Sequence, residues 1–173
     1  MVAVRRDAPA TTVEVVARSN ARFPANFLWG TATAAYQVEG GNTNTDWWRF
    51  EHRPGSIAAE PCGEACDSWH RWEEDLDLAA SFGLNAYRFS LEWARIEPHH
   101  GEIDLEALEH YRSMLVACVA RGLAPVVTLH HFTLPLWVAD AGVTPGIPNC
   151  DTGPAGRLAW TVREIIDLLR RRG

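Results

Sequence analysis

The sequence predicts an α/β fold built on parallel strands, and three observations carry that reading. Short apolar runs alternate with amphipathic helical stretches, and this happens three times along the chain. Gly and Pro punctuate the joints between them. Polar and aromatic residues cluster just after each apolar run. Strands that alternate with helices pair in parallel through crossovers, because a helix is the usual return path between parallel strands.

Taken in order, residues 1–22 read as a loose polar tail, and order is expected from Phe23. Phe27–Ala35 (FLWGTATAA) is a short run of apolar and small residues, which predicts a strand covered on both faces. Tyr36–Glu51 carries Gly40, Gly41, Asn42 and Asn44 and reads as a loop, as does Arg53–Cys66 with its two Pro and two Gly. Asp67 is placed to cap a helix in which Trp69, Trp72, Leu76, Ala79 and Ala80 recur at helical spacing, with Gly83 as its stop. Asn85–Ser90 (NAYRFS) is the second strand. A loop with Pro98 and Gly101 follows. Asp104 caps a second helix with Leu105, Leu108, Tyr111, Arg112, Leu115 and Val119 as its stripe, ended by Gly122. Ala124–Leu129 (APVVTL) predicts a third buried strand, followed by a loop holding Pro135. Val143–Gly156 reads as irregular, and Arg157–Arg172 as a third helix.

The 173 residues suit one domain with a real core. At 47% hydrophobic and 22% charged, the composition is that of a globular protein and excludes wholesale disorder. The net charge of −6 argues against nucleic acid or an anionic membrane as a partner. No stretch is long enough to span a bilayer, and no secretory leader is read in the first twenty residues, so a cytoplasmic protein is expected. The four Cys are too few and too irregular for a disulfide scaffold. Cys62 and Cys66 lie near His52 and His70, but the spacing is poor for zinc, and neither a metal nor a cofactor is expected.

Two parallel architectures compete: a doubly wound sheet and an eight-fold barrel. The Gly40-Gly41 pair comes late and lacks the G-x-G-x-x-G spacing of a dinucleotide turn. In a barrel the strand ends build the active site. Here they would bring together Tyr36-Gln37-Val38-Glu39, Glu92-Trp93 and His130-His131-Phe132, a mouth suited to a polyhydroxylated ligand.

The motifs then become specific. Residues 27–40 (FLWGTATAAYQVEG) resemble the N-terminal signature of the family 1 glycoside hydrolases, the β-glucosidase family. Residues 67–75 (DSWHRWEED) resemble that family's first barrel helix, 87–96 (YRFSLEWARI) its second strand and 128–135 (TLHHFTLP) its third. The resemblance runs from about Phe23 to Asp140. It implies a partial (β/α)8 TIM barrel, about its first three βα units, occupying residues 23–173. It also implies a retaining β-glycosidase acting on a β-glycoside or oligosaccharide substrate. After Asp140 the family's Gly-Gly-Trp turn gives way to Ala141-Gly142-Val143. Neither the Asn-Glu-Pro motif of the family's acid/base nor the Glu-Asn-Gly motif of its nucleophile occurs. The chain therefore reads as a truncated product, inactive alone, with both catalytic Glu expected beyond residue 173. A non-catalytic or weakly sugar-binding remnant is the alternative.

Retaining hydrolysis needs two carboxyls about 5–5.5 Å apart. Glu39, Glu92 and Glu97 are the acids near the strand ends, and they are expected instead to bond loop backbone or Arg. The resemblance makes Gln37 and His131 the holders of the nonreducing sugar's hydroxyls. It puts Phe132 where the family often has Trp, able to pack but without an indole donor. It makes Arg88 the support of the absent nucleophile, left nearly unpaired. Trp29, Trp69, Trp72, Trp93 and Trp137 are expected in the core. Open strand edges are expected to favour self-association.

Overall fold

The computed structural model describes residues 22–142. Its elements are β1 (Gly30–Ala32), α1 (Ala35–Val38), α2 (Asp46–His52), α3 (Ser68–Ser81), β2 (Ala86–Ser90), α4 (Trp93–Ile96), α5 (Leu105–Ala120), β3 (Ala124–Thr128) and α6 (Leu136–Asp140). The expected tail, the irregular stretch 143–156 and the third helix at 157–172 lie outside the described residues.

The three strands form one parallel sheet in the order β1-β2-β3. Ala86 pairs with Gly30 on one side and with Ala124 on the other, which makes β2 the central strand. Its side chains alternate, as a period of two requires. Tyr87 and Phe89 enter the core with Leu76 and Ala79 of α3 and Leu108, Tyr111, Met114 and Cys118 of α5. Arg88 and Ser90 leave by the other face, where Arg88 meets Thr128 and His131. A single alternating strand thus separates the packed layer from the polar one.

Helix ends follow ordinary chemistry in most places. Asp104 caps α5 by accepting from the Glu106 and Ala107 N–H groups at 2.8 and 3.0 Å. Gly83 and Gly122 follow α3 and α5 with φ of +74° and +72°, the left-handed stop that glycine adopts without strain.

Several expectations are corrected. The strand foreseen over Phe27–Ala35 shrinks to Gly30–Ala32 and is exposed rather than covered on both faces. Among the described residues β1 pairs on one side only. Phe23, Phe27 and Trp29 pack their rings on one another at centroid distances of 4.5–4.7 Å, so Trp29 lies outside the core. The far end of the run turns into α1 because Ser90 Oγ accepts the Ala35 N–H at 2.7 Å. β3 is likewise half exposed, being the other edge.

The loop expected over residues 36–51 contains most of α1 and most of α2, and the first turn of α2 is capped by Thr45 Oγ1 accepting from the Trp48 N–H at 3.1 Å. The short α4 falls in the stretch after the second strand. Asp67 precedes α3 but does not cap it. Its φ is +54°, and its carboxylate turns to His70 Nδ1 at 2.6 Å. The buried stripe of α5 is Ala107, Leu108, Tyr111, Met114 and Cys118, rotated from the expected one. Leu105 and Val119 are exposed, and Arg112 pairs with Glu109 on the surface.

Edge strands with unpaired backbone groups recruit other chains, and β1 and β3 are both edges. The isolated polypeptide is expected to elute from size-exclusion chromatography as oligomers or aggregate. A clean monomer with a sharp cooperative melt would contradict this.

Candidate functional site

The polar face of the sheet gathers at the C-terminal strand ends. Arg88 is the centre. Its Nε donates to Thr128 Oγ1 at 2.7 Å, one terminal nitrogen donates to the Thr33 carbonyl at 2.8 Å, and the other to His131 Nδ1 at 2.9 Å. Each nitrogen of the Arg88 guanidinium thus donates one hydrogen bond, which corrects the expectation of a nearly unpaired side chain. All three partners are uncharged, and among the described residues no carboxylate lies within ion-pair distance of it.

This contact assigns the His131 tautomer. A guanidinium only donates, so Nδ1 accepts and the proton of the neutral ring sits on Nε2. Burial and the Arg88 charge both push the His131 pKa down, which keeps the ring neutral. Nε2–H is then a donor fixed in direction by the Arg88 bond.

Phe132 follows with φ +67°, a left-handed conformation that a bulky L-residue adopts only under constraint. The constraint is visible on both sides. The Thr133 N–H donates to the His131 carbonyl at 2.9 Å, closing a three-residue turn. Leu134 exchanges bonds with Asp46, its N–H donating to Oδ1 at 2.8 Å and its carbonyl accepting the Asp46 N–H at 2.9 Å. The turn presents the Phe132 ring 69% exposed, edge-on to His131 at 4.7 Å. Gln37 sits exposed on α1 and shares no hydrogen bond with this trio among the described residues. Arg88, His131 and Phe132 are thus brought into contact with one another, Arg88 through its bond to His131 and Phe132 through its ring.

The acids near the strand ends point inward. Glu39 accepts from the Tyr111 hydroxyl at 2.7 Å, Arg95 Nε at 2.8 Å and Asn42 Nδ2 at 3.3 Å. Burial pushes its pKa up, and Tyr111, Arg95 and Asn42 oppose that push. Glu92 is 1% exposed and accepts from the Thr133 hydroxyl at 2.9 and 3.1 Å. Burial first, then the Glu39 charge, raises its pKa to about 7. Glu97 accepts from the Trp93 indole and the Gly101 N–H, both at 2.9 Å. Partners of the expected kinds, Arg or loop backbone, are found for Glu39 in Arg95 and for Glu97 in the Gly101 N–H, whereas the short partner of Glu92 is the Thr133 hydroxyl. The connected network was not foreseen, because Tyr111 reaches Glu39 across 72 positions and Arg95 reaches it across 56. Thr128 and Thr133 join the site from positions the sequence does not single out. The signal for Thr128 was its place on the same strand face as the ends of the polar run.

Trp93 is buried, while Trp69, Trp72 and Trp137 are partly buried against the core. Cys62 donates to the Tyr36 carbonyl at 3.2 Å, and His52 stacks on Trp48 at 4.0 Å. Among the described residues no group of three or more His, Cys, Asp or Glu is placed to hold a metal ion, and no helix is long and apolar enough to cross a membrane.

A parallel three-stranded sheet with helices and a polar cluster at its strand ends fits part of a (β/α)8 barrel. The model of glycosyl hydrolase family 1 matches residues 19–145, and the chain belongs to that family. β-Glucosidase A of Acetivibrio thermocellus is 40% identical over 141 residues, covering 78% of this chain and 31% of the relative. A coniferin β-glucosidase of Pinus contorta is 43% identical over 126 residues, 69% of this chain and 25% of that protein. Among solved structures, a β-glycosidase is 47% identical with a TM-score of 0.78, over 86% of this chain and 34% of its own. The family 1 β-glucosidase of Thermotoga maritima is 36% identical with a TM-score of 0.66, over 69% of this chain and 29% of its own. The chain spans less than a third of the length of these curated relatives.

Proposed function

We propose that this chain carries the sugar-holding edge of a β-glucosidase-type hydrolase that cleaves O-glycosidic bonds of β-glycosides with retention. The 173-residue polypeptide alone does not supply the catalytic carboxyl pair. The observation that carries this reading is Arg88, a guanidinium fixed at the strand ends by three uncharged acceptors. Such a preset cation lowers the pKa of a carboxyl brought beside it and keeps it ionised. That is the service a nucleophilic carboxylate needs, and in this reading the nucleophile comes from elsewhere in the barrel. The inward bonds of Glu39, Glu92 and Glu97 favour the same division of labour.

Gln37 and His131 hold sugar hydroxyls in this proposal. An amide donates and accepts at once, which suits vicinal hydroxyls. The His131 Nε2–H supplies a directed donor, and Phe132 offers an exposed ring against an apolar sugar face. The open edges of β1 and β3 meet either the rest of the barrel or another copy of the chain.

The test uses the chain reassembled with the remaining five βα units of a family member and an aryl β-glucoside as substrate. Gln37→Ala and His131→Ala are each expected to lower kcat/KM by about 10- to 100-fold, the worth of one or two hydrogen bonds to the sugar. Unchanged kinetics in both variants would remove these residues from the site.

A further inference from the structure

The packed face of the sheet is covered unevenly. Tyr87 and Phe89 of β2 lie in the core with α3 and α5, and each is 2% exposed. Pro125 and Val127 of β3 pair with them in register and so share that face, yet both are only partly buried. Helix α5 is uneven in the same sense. One flank meets α3, where His110 stacks on Trp69 and Arg121 bonds Asp77. At about 100° of turn per residue, Leu115 and Val119 fall on the other flank, with Leu105 and Val116 beside them. Leu115 is partly buried, whereas Leu105, Val116 and Val119 are 51%, 55% and 66% exposed. An apolar flank therefore borders the half-covered face of β3.

The sequence of residues 157–172 is complementary to that surface. Leu158, Val162, Ile165, Ile166 and Leu169 recur at helical spacing and fall within one arc of about 100°. Arg163, Glu164, Asp167 and Arg170 take the opposite side. The stretch has the 16 residues of α5, a helical length of about 24 Å. The 14 residues between Gly142 and Arg157 reach up to about 50 Å, ample for the return. The match to glycosyl hydrolase family 1 ends at residue 145, so the pattern belongs to a part of the chain that the family model does not cover.

We propose that residues 157–172 dock as a helix within the same chain, on the α5 flank bearing Leu115 and Val119 and over Pro125 and Val127 of β3. The connection order selects this flank. α3 follows β1 and α5 follows β2, both on the packed face and each one step further along the sheet, the succession that right-handed crossovers give. A helix after β3 takes the next step, which is this flank. The competing apolar surface, Leu78 and Phe82 of α3 beside Thr31, lies at the β1 end of the sheet. The other face of the sheet presents Arg88 and Thr128, polar groups that aliphatic side chains do not satisfy. Docking covers a face of β3 and leaves its backbone edge free. It holds whether or not the strand ends hold a sugar.

Photocrosslinking of the full chain tests it. A benzophenone side chain replaces Val119, Val116 or, as the control, Leu78, and an equal mixture of isotope-labelled and unlabelled chains is irradiated, digested and read by mass spectrometry. The probes at positions 119 and 116 are expected to capture peptides from 157–172, both halves of each adduct carrying the same isotope. The probe at position 78 should capture none of them. Ile166→Asp puts a charge in the middle of the stripe and should cut the capture from position 119 several-fold, while Ile166→Leu should keep it. Hydrogen exchange of residues 157–172 should be several-fold slower in the parent than in Ile166→Asp. Adducts mixing isotopes as random pairing does would place a second copy on the flank. Capture from position 78 alone would place the segment at the β1 end, and no capture from 119 and 116 would leave the flank uncovered. Each of these three results would overturn the proposal.

Discussion

Replacing Arg95 by Met is expected to unfold the described part of the chain rather than to weaken one contact. Arg95 is 22% exposed, and its partner Glu39 is 8% exposed. Its Nε meets the Glu39 carboxylate at 2.8 Å, a terminal nitrogen meets the Gly40 carbonyl at 2.6 Å, and its guanidinium lies 3.9 Å from the centre of the Trp69 ring. Removing one partner of a buried pair leaves an uncompensated charge, which costs about 3–5 kcal/mol. The pair is worth keeping mainly because its loss is so expensive, since an exposed pair such as Arg71–Glu74 contributes little. A domain is stable by only about 5–15 kcal/mol, and a sheet with two open edges sits low in that range. Circular dichroism should therefore report much less ordered structure in the variant than in the parent under the same conditions. The double variant Arg95→Met, Glu39→Gln should recover much of the loss, because the stranded charge is gone. If Arg95→Met alone melted like the parent, Glu39 would have to be neutral, and the assignment of the buried anion to it would fail.

How much of this was legible in the residues depends on how far each contact reaches. β2 was read almost to its ends because its alternation is local: Tyr87 and Phe89 face the core, Arg88 and Ser90 the polar side. α5 was found with its Asp104 cap, but its buried face was misplaced. Leu105 and Val119 attracted the stripe, whereas the small Ala107 and Cys118 are the residues that let the helix approach the sheet. α2 was hidden because its start is set by distant partners. Thr45 bridges to Pro135, and Asp46 exchanges bonds with Leu134, contacts that a Gly- and Asn-rich stretch does not announce.

The site divides in the same way. Arg88, His131 and Phe132 were named from motifs, and the structure groups them. The bonds of Arg88 are not legible in the sequence, because its acceptors come from the ends of two other strands. Asp67 had the right residue type for a cap, yet its backbone is left-handed and its carboxylate is drawn to His70. The buried Glu39–Tyr111–Glu92 connection was not visible at all, since nothing in the spacing of these residues brings them together.

In the function proposed above, the sugar-holding edge and the catalytic carboxyls belong to different parts of the barrel. Hydrolysis of an aryl β-glucoside by the purified 173-residue polypeptide, with and without the remaining five βα units of a family member, tests it most directly. Cleavage needs an acid to protonate the leaving oxygen and a carboxylate to trap the oxocarbenium-like centre. Without that pair the rate should fall by about 10⁴-fold or more relative to a complete enzyme, by analogy with removal of whole catalytic groups. No turnover above background is expected from the polypeptide alone, and turnover is expected on adding the complementary units. Turnover by the polypeptide alone that is abolished by Glu39→Gln or Glu92→Gln would contradict it, placing the chemistry on the acids assigned here to the interior.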